Sequence, residues 1–186
     1  HQALDAATEG FQKALKEKLG DKVEFDVQNA QGEETNCATI ATKFVNSNVD
    51  LIMANATQAV ISSATATSDI PIVGTSVTDY VTTGTVKSND APGGNVTGTS
   101  DLAPIDQQVE LLQKLLPDAK NVGILYCSAE ANSVYQAEQA QKYLEKAGIN
   151  VKTYTAADSN DIQQVVTKAA DENDAIYIPT DNTIAS

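Results

Sequence analysis

Short apolar runs that give way at once to small polar elbows, and then to helical patterns, recur along this chain. "VDLIMA" ends in Asn55-Ala56-Thr57 and opens into "QAVISSATATS"; "IPIVG" opens into Thr75-Ser76-Val77-Thr78-Asp79. "NVGILYC" runs into the polar stretch from Ser128 to Ser133 before "VYQAEQAQKYLEKAG", and "AIYIP" turns at Thr180-Asp181-Asn182 toward what reads as the start of a helix. Runs this short and β-branched suit strands, and strands that alternate with helices belong to parallel sheets covered on both faces. In open sheets of that kind, ligands sit at the carboxyl ends of the strands, where helix N-termini point. The elbows are therefore the first place to look for a site.

The remaining pattern fits the same class. Leu4, Ala7, Phe11, Ala14 or Leu15, and Leu19 fall at helical spacing, with Gly20 as a C′ stop. Val23, Phe25 and Val27 alternate like a strand that ends at Gln28-Asn29, and Cys37, Ile40, Ala41 and Phe44 mark a second amphipathic helix. "DAPGGNVTGTSDLAP" breaks the rhythm with turns around a short strand, Asn95 to Thr99, and places a crossover near Ser100 to Pro104. A helix follows with Ile105, Val109, Leu112 and Leu116 facing inward; "INVKTYTA" and "NDIQQVVTKAADEN" give a further strand and helix. The expectation is an α/β protein of two doubly wound lobes, residues 1–101 and 102–186.

Charge and composition exclude several functions. The net charge is −13, from 25 acidic residues against 12 basic ones, and all the bases are lysine. Arginine supplies the fork that grips phosphates and carboxylates bidentately, and an acidic surface repels the nucleic-acid backbone. Nucleic acid is not an expected partner, and an anionic membrane surface is disfavoured likewise. No apolar stretch approaches the ~20 residues of a membrane span. Cys37 and Cys127 read as two small hydrophobes rather than a disulfide. His1 is the sole histidine, which leaves little for a metal site or a Ser-His pair. No Gly-x-Ser-x-Gly elbow, phosphate-binding loop or Cys-x-x-Cys is present, and "PGGN" reads as a turn. No enzyme activity, metal or cofactor is expected.

What the elbows offer suits a zwitterion. Any one of them is explained by helix capping, because Ser, Thr, Asn and Asp are the preferred N-caps. Each elbow, however, carries several such residues where a cap needs one. Hydroxyls and free N–H groups at helix N-termini suit a carboxylate in a chain without arginine, and an elbow carboxylate suits an ammonium. Three or four charge-assisted bonds at ~1.5–3 kcal/mol each leave micromolar affinity within reach.

Several segments also carry a resemblance. "HQALDAATEGF", "NAQGEETN", "IPIVGTSVTDY", "APGGNVTGTSDLAPIDQQVELLQKLLPDAKNVGILYCSAEANS" and "DAIYIPTDNTIAS" resemble the ABC-transporter substrate-binding proteins of the family that includes tryptophan- and tyrosine-binding lipoproteins. The similarity runs from His1 to Ser186 in order. It implies the type I periplasmic-binding-protein fold, in which two Rossmann-like lobes close on a ligand and deliver it to an ABC permease in the membrane. It implies an extracytoplasmic protein, lipid-anchored or periplasmic. Relatives carry a strand before the position of His1 and further elements after Ser186, so the chain resembles an interior piece of a longer protein. They usually have Pro where this chain has Gln2.

Carried over residue by residue, the resemblance implies a ligand cleft with Asn55, Thr57, Ser76, Thr78 and Asp79 on the first lobe. Facing them would be Ser128, Glu130, Asn132 and Asp181 on the second. Thr57, Ser76 and Thr78 are expected to hold a carboxylate. Asp181 is the first choice for the ammonium, with Asp79 and Glu130 behind it; as a cap alone, Asp181→Asn should be almost silent. Tyr80, Tyr126 and Tyr177 flank elbows, either stacking on an aromatic solute or packing in the sheets. The expected ligand is a small amino-acid-like solute. The alternative is the sensor lobe of a transcription regulator, and third an enzyme on a flavodoxin-like scaffold.

Overall fold

The computed structural model describes residues 2–185. The chain divides into two compact units, His1–Leu102 and Ala103–Ser186. Each is built on a three-stranded parallel sheet. No helix among the described residues is long and apolar enough to cross a membrane.

The first unit contains helix α1 (Gln2–Leu19), α2 (Glu34–Asn46), strand β1 (Ile52–Asn55), α3 (Thr57–Ala66), β2 (Ile72–Val77) and β3 (Val96–Ser100). Its sheet has the order β1-β2-β3, with Ile52 opposite Ile72 and Ile72 opposite Val96. These residues join Ala54, Val60, Val77, Tyr80 and Val86 in one apolar core. Gly74 and Gly98, partners in register, form a seat for the Tyr80 ring. A Cβ at Gly74 would lie 2.5 Å from the Tyr80 oxygen, and one at Gly98 would overlap the same ring. Tyr80 is buried and donates to the Thr99 carbonyl at 3.2 Å. The opposite face of the sheet is thinly covered: Met53, Asn55, Val73 and Thr75 are only half-buried.

Gly20 stops α1 at a φ of 60°, as its position predicts. The α2 stripe of Cys37, Ile40, Ala41 and Phe44 is half-buried or buried. On α1, Leu15 is half-buried whereas Ala14 and Leu19 are exposed.

The alternation at Val23, Phe25 and Val27 does not produce a strand. Val23 is extended, at φ −119° and ψ 131°, but residues 23–30 join no ladder and Val27 is exposed. Alternation can favour extended backbone, but a strand needs a neighbour to accept its N–H groups. Among the described residues β1 pairs with β2 alone. The segment is tied instead by an ion pair between Lys43 and Asp26 at 2.8 Å and by the Asn36 amide on the Ala30 carbonyl at 3.2 Å.

The second unit contains α4 (Ile105–Leu115), β4 (Asn121–Cys127), α5 (Ala131–Lys146), β5 (Asn150–Ala156), α6 (Ile162–Glu172) and β6 (Ala175–Tyr177), in a sheet of order β5-β4-β6. Central strand β4 is buried on both faces. Val122 and Ile124 join Ile105, Val109, Ala137, Ala140 and Leu144 on one side, while Leu125 joins Tyr154 and Ala169 on the other. Tyr177 is buried and donates to Gln108 Oε1 at 2.6 Å; Tyr126 packs half-buried against the first of these clusters. Leu116, expected inside, is exposed because α4 ends one residue before it. Both cysteines are free thiols, Cys37 half-buried and Cys127 buried. His1 lies outside the described residues.

Candidate functional site

At the end of β1 the chain turns on Ala56, a non-glycine residue held at φ 83° and ψ 157°. Its N–H is fixed by the Thr75 carbonyl of the adjacent strand at 3.0 Å. Such a conformation costs of order 1–3 kcal/mol and persists only where its surroundings over-determine it. As the N-cap of α3, Ala56 has no side chain to offer, so the helix opens without a side-chain cap beside the buried Thr57. The Asn55 amide anchors α1, donating to the Leu4 carbonyl at 2.6 Å and to the Thr8 hydroxyl at 3.0 Å. Its Oδ1 is buried and has no partner among the described residues.

The next elbow repeats the device. The register between β2 and β3 shifts between Gly74 and Val77, and Ser76 within the shift sits at φ 55°. Thr78 is buried, and its carbonyl accepts the Ser100 hydroxyl at 2.7 Å. Asn55 and Thr75 are partners in register, so the strained turns lie side by side at the carboxyl end of one sheet. Asp79 is turned to a different task. It accepts the Thr82 N–H at 2.8 Å and hydroxyl at 2.5 Å, and the Asn89 amide at 3.0 Å. Burial pushes its pKa up, but these bonds outweigh burial and hold the carboxyl below its usual range.

In the second unit the elbows are bound by side chains. Asp181 is 3% exposed and accepts the Cys127 N–H at 2.7 Å on one oxygen and the Ile184 N–H at 2.8 Å on the other. The second bond is an N-cap interaction, followed by the Ala185 N–H on the Asp181 carbonyl at 3.2 Å. The turn at residues 182–185 does not extend into a helix among the described residues. Ser128 donates through both N–H and hydroxyl to the Ala156 carbonyl, at 3.1 and 3.4 Å. Glu130, the N-cap residue of α5, sends its carboxylate not to the backbone N–H groups of its own helix but to Asn182 and Thr183 and to the Asn132 side chain. Burial works to raise its pKa, and the bonds from Asn182, Thr183 and Asn132 more than offset it, so the carboxyl lies below its ordinary value. The Asn132 amide donates to Glu130 at 3.1 Å and to the Thr180 carbonyl at 3.1 Å. Gln136, buried one turn further along α5, donates through Nε2 to the Thr180 carbonyl at 3.4 Å and accepts the Thr180 N–H on Oε1 at 3.3 Å.

The structure thus gathers Asn55, Thr57, Ser76 and Thr78 at one strand end of the first unit, and Ser128, Glu130, Asn132 and Asp181 at one strand end of the second. Thr183 and Gln136 were not singled out in the sequence, and Asn182 was named only as a residue of the last elbow. A glutamine among the buried positions Ser133, Ala137, Ala140 and Leu144 was the available signal for Gln136. Tyr80 and Tyr177 pack in cores, and Gln28-Asn29 forms a local turn in which Asn29 Oδ1 takes the Gln31 N–H at 2.8 Å. No group of acids, cysteines or histidines among the described residues has the arrangement of a metal site.

The family model described as ABC transporter substrate binding protein matches residues 1–186. The chain belongs to that family. It is 41% identical over 189 residues to a tyrosine-binding protein of Clostridioides difficile, covering 100% of this chain and 55% of that protein. Among solved structures it resembles an ABC domain in complex with L-Trp from Streptococcus pneumoniae, at 41% identity and a TM-score of 0.94. A conserved domain protein of Vibrio cholerae matches with the same identity and TM-score. In both, the match covers 100% of this chain and 64% of the other. The chain therefore spans a little over half to about two thirds of the length of these relatives. The α/β architecture with parallel sheets matches the type I periplasmic-binding fold.

Proposed function

We propose that this chain is the ligand-binding part of the solute-binding component of an ABC importer. It binds a small amino acid, with an aromatic one the first candidate, and delivers it to a membrane permease. The two units act as the lobes of a type I binding protein and hold one solute with the elbows of both. The protein works outside the cytoplasm, lipid-anchored or periplasmic, as members of this family do.

The observation that carries this reading is the pair of strained, side-by-side turns at Ala56 and Ser76, next to a helix that opens without a side-chain cap. Backbone strain held against the fold marks sites of ligand contact, and uncapped N–H groups suit an anion. A chain without arginine needs such groups to hold a carboxylate, which we assign to Thr57, Ser76 and Thr78. The amine end falls to the second unit, at the elbow that gathers Ser128, Glu130, Asn132 and Asp181. The names of the relatives, one tyrosine-binding and one complexed with L-Trp, support an aromatic amino acid.

Native mass spectrometry of the full-length protein tests the reading directly. A co-purified amino acid, or calorimetric binding of L-tyrosine or L-tryptophan at micromolar concentration, is expected. A protein that carries and binds no amino acid overturns it. Thr78→Ala should weaken binding roughly ten- to a hundred-fold, the loss of one charge-assisted bond of ~1.5–3 kcal/mol; unchanged affinity would remove Thr78 from the carboxylate site.

A further inference from the structure

Five donors converge on the Glu130 carboxylate. Oε2 accepts the Asn182 N–H at 3.1 Å, the Asn182 side-chain amide at 2.8 Å and the Asn132 side-chain amide at 3.1 Å; Oε1 accepts the Thr183 N–H at 2.8 Å and hydroxyl at 2.7 Å. A carboxylate offers about four lone-pair positions. Glu130 is therefore saturated and has no capacity left for a ligand cation. Asp181, with both oxygens on backbone N–H groups and almost no exposure, is poorly placed for one.

The consequence lies in the two amides. An asparagine that is free to turn presents either a donor or an acceptor, but an ionised carboxylate only accepts. Nδ2 of Asn132 and Nδ2 of Asn182 must both face Glu130, and both Oδ1 atoms must face away from it. Every side-chain bond these two residues make among the described residues runs through Nδ2: to Glu130 for both, and to Ser133 and Thr180 for Asn132. Asn182 is exposed and Asn132 half-buried, so both carbonyl oxygens are left to a ligand or to solvent. The charge of Glu130 lies directly behind them and favours a cation in front.

Resting on the amino-acid reading above, we infer that Glu130 is a positioning residue, which locks Asn132 and Asn182 as a pair of carbonyl acceptors for the ammonium group of the solute. In this arrangement the negative charge of the second unit acts through two neutral amides rather than by contact. The specificity it confers is for an amine-bearing solute over the same solute without the amine.

Calorimetry and displacement on the full-length protein, with L-tryptophan and 3-(indol-3-yl)propanoate as probes, test this. The propanoate keeps ring and carboxylate and lacks the amine. Glu130→Gln puts an NH2 group against the two donors at Oε1 or the three at Oε2, and in either case removes the charge behind the amides. It should lower the affinity for L-tryptophan roughly ten-fold or more while changing that for the propanoate by no more than about three-fold. Asn182→Ala keeps the backbone N–H on Glu130 and should narrow the preference in the same way, which holds the test open if Glu130→Gln fails to fold. Equal losses for both probes, or no loss for either, would reduce Glu130 to a loop brace and overturn the inference. Wild-type protein that carries no amino acid in native mass spectrometry and binds neither L-tryptophan nor L-tyrosine would instead overturn the amino-acid reading, and this inference with it.

Discussion

In the first unit the turn after β1 and the bulged end of β2 are fixed in the backbone, with Ala56 at φ 83° and Ser76 at φ 55°, whereas the turns after β4 and β6 in the second are fixed by side chains. There, Asp181, Glu130, Asn132 and Gln136 hold residues 180–184 across gaps of more than 40 positions. A backbone-held turn depends on its neighbours being rigid and stores strain; a bond-held turn depends on the identity and charge of a few residues. The sheets differ in the same sense. The second is covered on both faces of its central strand, while the first has one half-open face and relies on Tyr80 seated on two glycines.

The comparison breaks most readily at Asp181. Asp181→Ala leaves two N–H donors without an acceptor, one of them in a buried bond, and should destabilise the full-length protein by ~3–5 kcal/mol. Asp181→Asn keeps only one acceptor and turns an NH2 group toward an N–H, so it should cost ~1.5–3 kcal/mol rather than being silent. Urea titration measures both; losses below about 1 kcal/mol would show that the side-chain mesh is dispensable. Gly98→Ala tests the corresponding weak point of the first unit. The new methyl must displace both Tyr80 and the Gly74 carbonyl oxygen of the paired strand, so the overpacking should cost ~3 kcal/mol or more, read as a lower Tm.

Ala56→Gly should act in the opposite direction. It removes the backbone strain of ~1–3 kcal/mol at the cost of ~0.5–1 kcal/mol in chain entropy, leaving a gain of up to about 2.5 kcal/mol. A thermal scan that shows a loss instead would mean that the turn is not strained. The smallest effect is with pH. Glu130 and Asp79 have folded pKa values below their unfolded ones, so their contribution is complete above the ordinary carboxylate range and is lost as pH falls through the folded values. Glu130→Gln should flatten the fall of Tm between about pH 5 and pH 3, and Ala56→Gly should leave that slope unchanged.

The strands after Asp50 and all the helices could be read from apolar runs and spacing, because burial on one face or both leaves a period in the sequence. Val23 to Val27 shows the limit: alternation records which side chains face inward, but not whether a neighbouring strand exists to complete a ladder. The site was half legible. Elbow composition pointed to Asn55, Thr57, Ser76, Thr78, Ser128 and Asn132 as polar residues at strand ends. Nothing local announced that Ala56 and Ser76 are strained, since neither is glycine. The bonds of Glu130 to Asn182 and Thr183 join residues 52 and 53 positions apart, a pairing that only the fold creates.

The Tyr80 seat has a use at the alkaline end of the scale. Burial, with the nearby Asp101 charge, pushes this phenol up to about 12. Because its folded value lies above the unfolded one, the protonated phenol contributes stability that is intact below about pH 10 and drains away as pH rises toward the folded value. The chain has six tyrosines and no tryptophan, so the difference between the ultraviolet titrations of this chain and of its Tyr80→Phe variant isolates the Tyr80 phenolate and serves as an optical gauge of when the ring leaves its two glycines and the first sheet comes apart.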